Sequence, residues 1–267
     1  MQAPPGLSEL VEDGPTKHIA PRVNLLLLQP SELDADGGAR LTGRRLDHAR
    51  EVLRVQAGQT LRVGLLDGLM GTAEVVSSDA TALVLRVSCT EPPPPRAGVS
   101  LVLAIPRPKQ LKRVIPAVAS LGVDRVVLVN AARVEKSYFD SKVLNDEFLN
   151  GLVELGLEQA CDTVRPVITL KTRLKPFIED ELASWAPGDA LRLVPHPHAE
   201  HPLRPVPTRQ HVVLAIGPDG GWVPFEIELF KQNGFTPVSL GPRVLRGEVA
   251  VPAVLGALRA ALPHPRE

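Results

Sequence analysis

Aromatic side chains are scarce, at 3% of 267 residues. A chain of this length buries a sizeable core, so Leu, Val, Ala and Ile must build it. Cysteine is scarcer: Cys89 and Cys161 are the two, far apart. That spacing offers neither a disulfide framework nor a zinc site and fits a reducing, cytoplasmic compartment. Excess charge is missing too, since 30 basic residues balance 30 acidic ones. Bulk electrostatics therefore gives no reason to expect nucleic acid, and any such surface has to be a local patch. Long hydrophobic runs are also lacking. Val23 to Leu28 is far too short to span a bilayer. Residues 1–20, with their Pro, Gly, Glu and Asp, have no apolar stretch of the secretory kind. No membrane association is expected, and residues 1–20 read as a flexible arm.

What the chain has is proline, 27 residues of it, which implies many short, bounded elements. Over residues 21–91, β-like runs alternate with turns at Val23 to Leu28, Leu61 to Leu66, Thr72 to Val76 and Ala82 to Val87. Arg45 to Val55 carries a helical stripe of Leu46, Ala49, Val52 and Leu53. Close-spaced short strands suggest a small β-barrel. Residues 92–98 begin with four consecutive prolines, a stiff extended run read as a linker between domains.

From residue 99 to 267 the pattern changes to strand–helix alternation, the mark of an α/β domain with a largely parallel sheet. Strands are expected at Val99 to Ile105, Arg125 to Val129, Val167 to Leu170, Leu191 to Val194, His211 to Ile216 and Thr236 to Leu240. Helices are expected at Lys109 to Leu121, bent or interrupted near Pro116, and at Leu144 to Ala160, Lys175 to Trp185, Pro224 to Gln232 and Glu248 to Leu262.

Two segments carry chemistry. In the first, the apolar run Val212 to Ile216 enters Gly217-Pro218-Asp219-Gly220-Gly221-Trp222 just before a helix. Glycines let backbone approach a ligand, and a helix start offers free N–H donors. The same pattern also serves as a plain strand-to-helix turn, and it is neither a dinucleotide fingerprint nor a Walker loop. In the second, Val238-Ser239-Leu240-Gly241-Pro242-Arg243-Val244-Leu245-Arg246-Gly247-Glu248 again ends a strand in glycine and adds two arginines. Those arginines suit a phosphate or a carboxylate, while Glu248 equally suits the dipole of the following helix.

As a pair, Ile216 to Gly221 with Glu226, and Leu240 to Arg246 with Glu248 and Ala250, resemble the signature of the 16S rRNA uracil-N3 methyltransferase family, RsmE. Arg50 to Val55 with Gly58, Leu121 to Arg125, Glu158-Gln159 and Pro195 to His198 agree in order, so the likeness covers about residues 21–262. The resemblance implies a PUA-like β-barrel followed by a SPOUT α/β domain with a deep trefoil knot. It further implies S-adenosyl-L-methionine (SAM) as cofactor, small-subunit ribosomal RNA as partner, a homodimer and no metal. It assigns Leu214, Ile216, Gly217, Pro218, Gly220, Gly221, Leu240, Gly241, Val244 and Leu245 to the cofactor. Arg246 is the implied stabiliser of a uracil carbonyl or a flanking phosphate, and Glu248 orients Arg246 or accepts the N3 proton. The local basic cluster Arg40, Arg44, Arg45, Arg50 and Arg54, with Arg243, is read as the patch that contacts RNA phosphates, with ordinary solvated surface as the alternative.

The chain departs from the family pattern at several positions expected near the site. Gly247 and Val249 stand where threonines are usual, Ala117 and Ser120 where Lys and Glu are usual, and Cys161-Asp162 where Gly-Arg is usual. These departures motivate a second reading, a non-catalytic RNA-binding homologue. His196, His198 and His201 lack metal-ligand spacing, and Trp185 and Trp222 are expected to pack.

Overall fold

The computed structural model describes residues 25–51, 55–139, 141–207 and 210–259. The first sheet joins β1 (Leu26–Leu28), β2 (Gly38–Leu41), β3 (Thr60–Leu65), β4 (Met70–Ser78) and β5 (Leu83–Glu91) in the order β1-β3-β4-β5-β2. The pairs are antiparallel except β1 with β3. Alternation is visible in β4, where Met70, Ala73 and Val75 are buried and Thr72, Glu74 and Val76 are exposed, as a half-solvated sheet requires. Helix α1 (Gly43–Glu51) adds Leu46 and Ala49 to this small core. The strand β2 was not expected. Gly38-Ala39-Arg40-Leu41 is a four-residue edge strand with too little apolar content to register as one.

The second sheet is all parallel, in the order β11-β9-β10-β6-β7-β8. Its strands are β6 (Val99–Ala104), β7 (Arg125–Val129), β8 (Val167–Lys171), β9 (Leu191–Pro195), β10 (Val212–Ile216) and β11 (Thr236–Val238). Every residue of β6 and β10 is buried, because helices cover both faces. The covering helices are α2 (Pro108–Ser120), α3 (Asp146–Ala160), α6 (Pro224–Gln232) and α7 (Gly247–Arg259). Between β8 and β9, short helices α4 (Leu174–Pro176) and α5 (Leu182–Trp185) flank a π-helical turn at Phe177–Glu181. In α7, Val251, Val254, Leu255 and Leu258 are buried at i, i+3, i+4 and i+7, the stripe that holds a helix to a sheet. Pro116 does not interrupt α2, which runs through it. Its carbonyl instead meets Gly156 of α3, where a Cβ would collide.

The two sheets are bolted together. Leu25, Leu27, Leu66 and Met70 belong to the larger core. The Leu25 N–H donates to the Glu158 carbonyl at 3.0 Å and the Thr163 hydroxyl to the Gly68 carbonyl at 2.6 Å. Arg165 forks onto Asp67 at 2.9 and 2.6 Å. The proline run ends in Arg96, which pairs with the buried carboxylate of Asp162 at 3.2 Å and donates to the carbonyls of Val164 (2.8 Å) and Val123. Residues 92–98 are thus an extended segment anchored at its end rather than a free tether.

Candidate functional site

The site grows from the carboxyl ends of neighbouring parallel strands, where open α/β sheets gather ligands. Strand β10 delivers Ile216 and Gly217, β9 delivers Pro195 to His198, and the chain beyond β11 delivers Leu240 and Gly241. These three segments, with the start of α7, enclose one cavity of about 440 Å³. Its walls combine apolar side chains (Ile216, Leu240, Val244, Leu245) with glycine backbone and the cations Arg133 and Arg243.

Local chemistry explains the shape. At Gly217 a Cβ would lie 3.2 Å from the backbone N and the indole of Trp222, so any side chain there would push the turn open by a few tenths of an ångström. Gly241 sits at φ +102°, a backbone state that L side chains avoid. The turn between is held from outside. Asp219 accepts from Gln110 at 3.1 Å and faces Arg107 at 3.2 Å, and Arg133 donates to the Gly220 carbonyl. Glu226 is the central tie, at 4% exposure. One carboxylate oxygen accepts from the Val223 N–H at 2.9 Å, the other from the Ala132 N–H at 2.8 Å. It caps α6 and straps the 130–133 turn to the glycine loop. Trp222 is 5% exposed, packs edge-on against Phe230 at 4.8 Å, and keeps its indole N–H without a protein acceptor.

The histidines also find a place here. His196 and His198 both line the cavity, their rings edge-to-face at 5.7 Å. Burial, then the charges of His198 and Lys231, push the His196 pKa below the ordinary histidine value. Among the described residues no group of three or more His, Cys, Asp or Glu is placed to hold a metal.

Most of the residues assigned to the cofactor meet at this cavity: Ile216, Gly217, Pro218, Gly220, Gly221, Leu240, Gly241, Val244 and Leu245 all line it, as does Arg243. Leu214 does not. It lies inside β10 between Leu101 of β6 and Leu193 of β9 and is fully buried in the core. A strand buried on both faces gives no sequence signal for where its ligand-facing end begins. Glu248 does not orient Arg246 either. Its carboxylate faces Arg113 of α2 at 3.5 Å, while Arg246 is exposed and its carbonyl starts α7 by accepting from Ala250 at 2.7 Å.

Among the implied RNA contacts, Arg40 is exposed on β2. Arg45 is already engaged: it reaches both oxygens of Glu32, at 2.6 and 2.7 Å, and the Leu27 carbonyl. The side chains of Arg44 and Arg50, and all of Arg54, lie outside the described residues. The departures from the family pattern also separate. Gly247 lines the cavity. Ala117 and Ser120 sit at the far end of α2, which starts beside the cavity and runs away from it, and Asp162 serves Arg96. Sequence reasoning missed Arg133 and Asp219. Asp219 stood in plain view in the glycine loop, whereas nothing in the sequence near Arg133 flagged it.

Residues 93–259 match the profile of the RNA methyltransferase domain family. Ribosomal RNA small subunit methyltransferase E of Treponema pallidum is 30% identical over 248 residues, covering 89% of this chain and 91% of the relative. The chain belongs to the RsmE family. The Synechocystis RsmE is 27% identical over 89% of this chain and 77% of its own length. In structure, a methyltransferase of Legionella pneumophila solved with bound SAM aligns with a TM-score of 0.69 at 26% identity, covering 90% of this chain and 98% of the other. The RsmE of Neisseria gonorrhoeae, at 19% identity and a TM-score of 0.73, shares the fold over 89% and 97% of the two chains.

Proposed function

We infer that this protein is a SAM-dependent methyltransferase of small-subunit ribosomal RNA, acting on N3 of a uridine. The observation that carries the reading is the meeting of two distant glycine turns, around residues 217–221 and 240–247, in one cavity at the strand ends. The family relationship gives that cavity its cofactor. The residues present fit SAM: apolar walls at Leu240, Val244 and Leu245 suit an adenine ring and a thioether, and glycine backbone offers amides close to the ligand. Arg133 suits its carboxylate. Asp219 is already occupied by Gln110 and Arg107.

When bound, SAM supplies an activated methyl group, so the protein's task is placement. The two glycine turns are the backbone that would hold the cofactor, and Glu226 keeps the first of them tied to the 130–133 turn. Uracil N3 carries a proton, which passes to a solvent water, and its departure leaves charge on the ring oxygens. Arg246, exposed beside the cavity rim, is the side chain we assign to that charge or to a flanking phosphate. Glu248 acts by positioning: in the first turn of α7 it complements the helix dipole and holds Arg113, which fixes where the 243–247 loop ends. Arg40, Arg44, Arg50, Arg54 and Arg243 are assigned to backbone phosphates.

The finer architecture belongs to the same reading. Residues 25–91 are assigned to a PUA-like barrel, 92–98 to the connector and 99–259 to a SPOUT domain with a trefoil knot; the arm expected at 1–20, like the outer ends of the two domains at 21–24 and 260–267, lies outside the described residues. The knot is supported by the order of strands, with β10 inserted between β9 and β6. It is supported too by the β9–β10 connection, which bonds both to Ser239 beyond β11 and to the Leu258 carbonyl in α7. A homodimer is supported by Val244 and Val249, 77% and 48% exposed beside the cavity and on α7. The cellular site is the cytoplasm, where the RNA is; no helix among the described residues is long and apolar enough to cross a membrane. Arg246→Ala tests the assignment of the catalytic cation. SAM binding by calorimetry should survive while methyl transfer to small-subunit RNA is abolished, and turnover at the wild-type rate would refute it.

A further inference from the structure

A second cavity, of about 480 Å³, opens on the same edge of the sheet, at the carboxyl ends of β7 and β8. It shares its wall with the cofactor cavity. The 130–133 turn lends Ala131 and Ala132 to one side and Arg133 to the other. The start of α6 lends Phe225 to one side and Pro224 to the other. The Glu226 strap runs through this common wall.

Its contents are unusual for a packing defect. Phe225 is 60% exposed. A single exposed phenylalanine means little, but this one lines a cavity together with the buried Leu174 and Leu229 and with Asn130 and Thr172. Lys175 lies 5.9 Å from the Phe225 ring centre, and Arg173 is exposed on the same rim. Of the acidic neighbours, Glu226 is spent on two backbone N–H groups, and Glu179 sits 3.7 Å from Lys175. Arg173 forms no ion pair among the described residues and is the cation this rim offers to a phosphate.

An exposed aromatic ring, here with Lys175 over one face, residues bearing amide and hydroxyl groups, and a cation at the rim are the three elements that hold one nucleotide of a single strand. The volume is in the range of small-ligand sites. We propose that this cavity is a nucleotide subsite of the RNA substrate, stacking a base next to the methylated one on Phe225 and taking its phosphate on Arg173. The proposal rests on the RNA methyltransferase reading and adds to it a second point of grip, placed across the Glu226 strap from the methyl donor. A base held there fixes the strand so that its neighbour enters the cofactor cavity.

The test uses the full-length protein and small ribosomal subunits from cells lacking it. Phe225→Ala should raise KM for the subunit about tenfold, the equivalent of ~1.4 kcal/mol of lost stacking. It should leave kcat and the calorimetric SAM affinity within about twofold. Phe225→Tyr, which keeps a stacking face, should restore KM. Arg173→Gln should weaken binding of a fluorescein-labelled single-stranded fragment of the subunit RNA, measured without SAM, and should lower its salt slope by about one phosphate. Unchanged KM in Phe225→Ala, or a loss of SAM affinity as large as the loss of RNA affinity, would overturn the subsite while leaving the methyltransferase reading intact. Wild-type protein that methylates no subunit RNA would instead remove the reading beneath it.

Discussion

Glu226 offers the sharpest perturbation, because one buried carboxylate holds two pieces of backbone that the cofactor cavity needs. In Glu226→Ala the N–H groups of Val223 and Ala132 lose their acceptors, at 2.9 and 2.8 Å in the parent. A hydrogen bond to a charged group contributes about 1.5–3 kcal/mol. Water entering the space left by the side chain recovers part of this, so a net loss of about 3 kcal/mol is expected. For a chain of this size that corresponds to a Tm lower by about 6–12 °C. Glu226→Gln keeps one acceptor and turns an amide donor toward the other N–H, so its loss should be smaller, about 2 kcal/mol. Both variants should loosen the glycine turn, and SAM affinity measured by calorimetry should fall about tenfold even at temperatures where the protein is folded. Melting within 2 °C of the parent, together with unchanged SAM affinity, would refute the claim that this carboxylate organises the site.

Other replacements read other joints. Gly241→Ala forces a side chain into φ +102°, costing about 1–3 kcal/mol; SAM binding should be lost while circular dichroism stays near the parent's. Arg96→Ala leaves the Asp162 carboxylate, 5% exposed, without its cation and held by the N–H groups of Thr163 and Val164, and should destabilise by about 3 kcal/mol in a denaturant titration without changing SAM affinity in the folded protein. Because the His196 pKa in the folded chain lies below the ordinary value of 6.5, the unfolded chain takes up the proton first as pH falls. Stability should therefore drop as pH falls from about 6.5 toward the lower folded value and then level off, and His196→Gln should flatten that part of the profile.

The order of elements was legible because the parallel strands are dense in Val and Leu. Arg125–Val129 and Val212–Ile216 are apolar runs bounded by turns, and the helices between them carry clean stripes. The order of strands in space was not, since nothing in β10 itself says that it enters between β9 and β6. Leu214 shows the same limit at the scale of one residue, because in a strand covered on both faces every side chain is apolar whether it meets a ligand or the core. Arg45 shows another. A cluster of arginines reads as a free basic patch until the fold brings Glu32 and the Leu27 carbonyl to one of them. The departures at Ala117, Ser120 and Asp162 looked like damage near the site because the direction of α2 and the Arg96–Asp162 bolt are properties of the tertiary structure. Gly217 and Gly241 were readable for the opposite reason: a tight approach at the first and a left-handed backbone at the second both favour glycine.

The central claim is that the cavity between the two glycine turns presents SAM to a uridine of small-subunit RNA. Incubating the purified protein with methyl-labelled SAM and small ribosomal subunits from cells that lack it, then identifying the labelled nucleoside by mass spectrometry, tests that claim directly. The account expects one N3-methyluridine per subunit, lost in Gly241→Ala. Label on another nucleoside, or none on RNA from a protein that binds SAM, would contradict it.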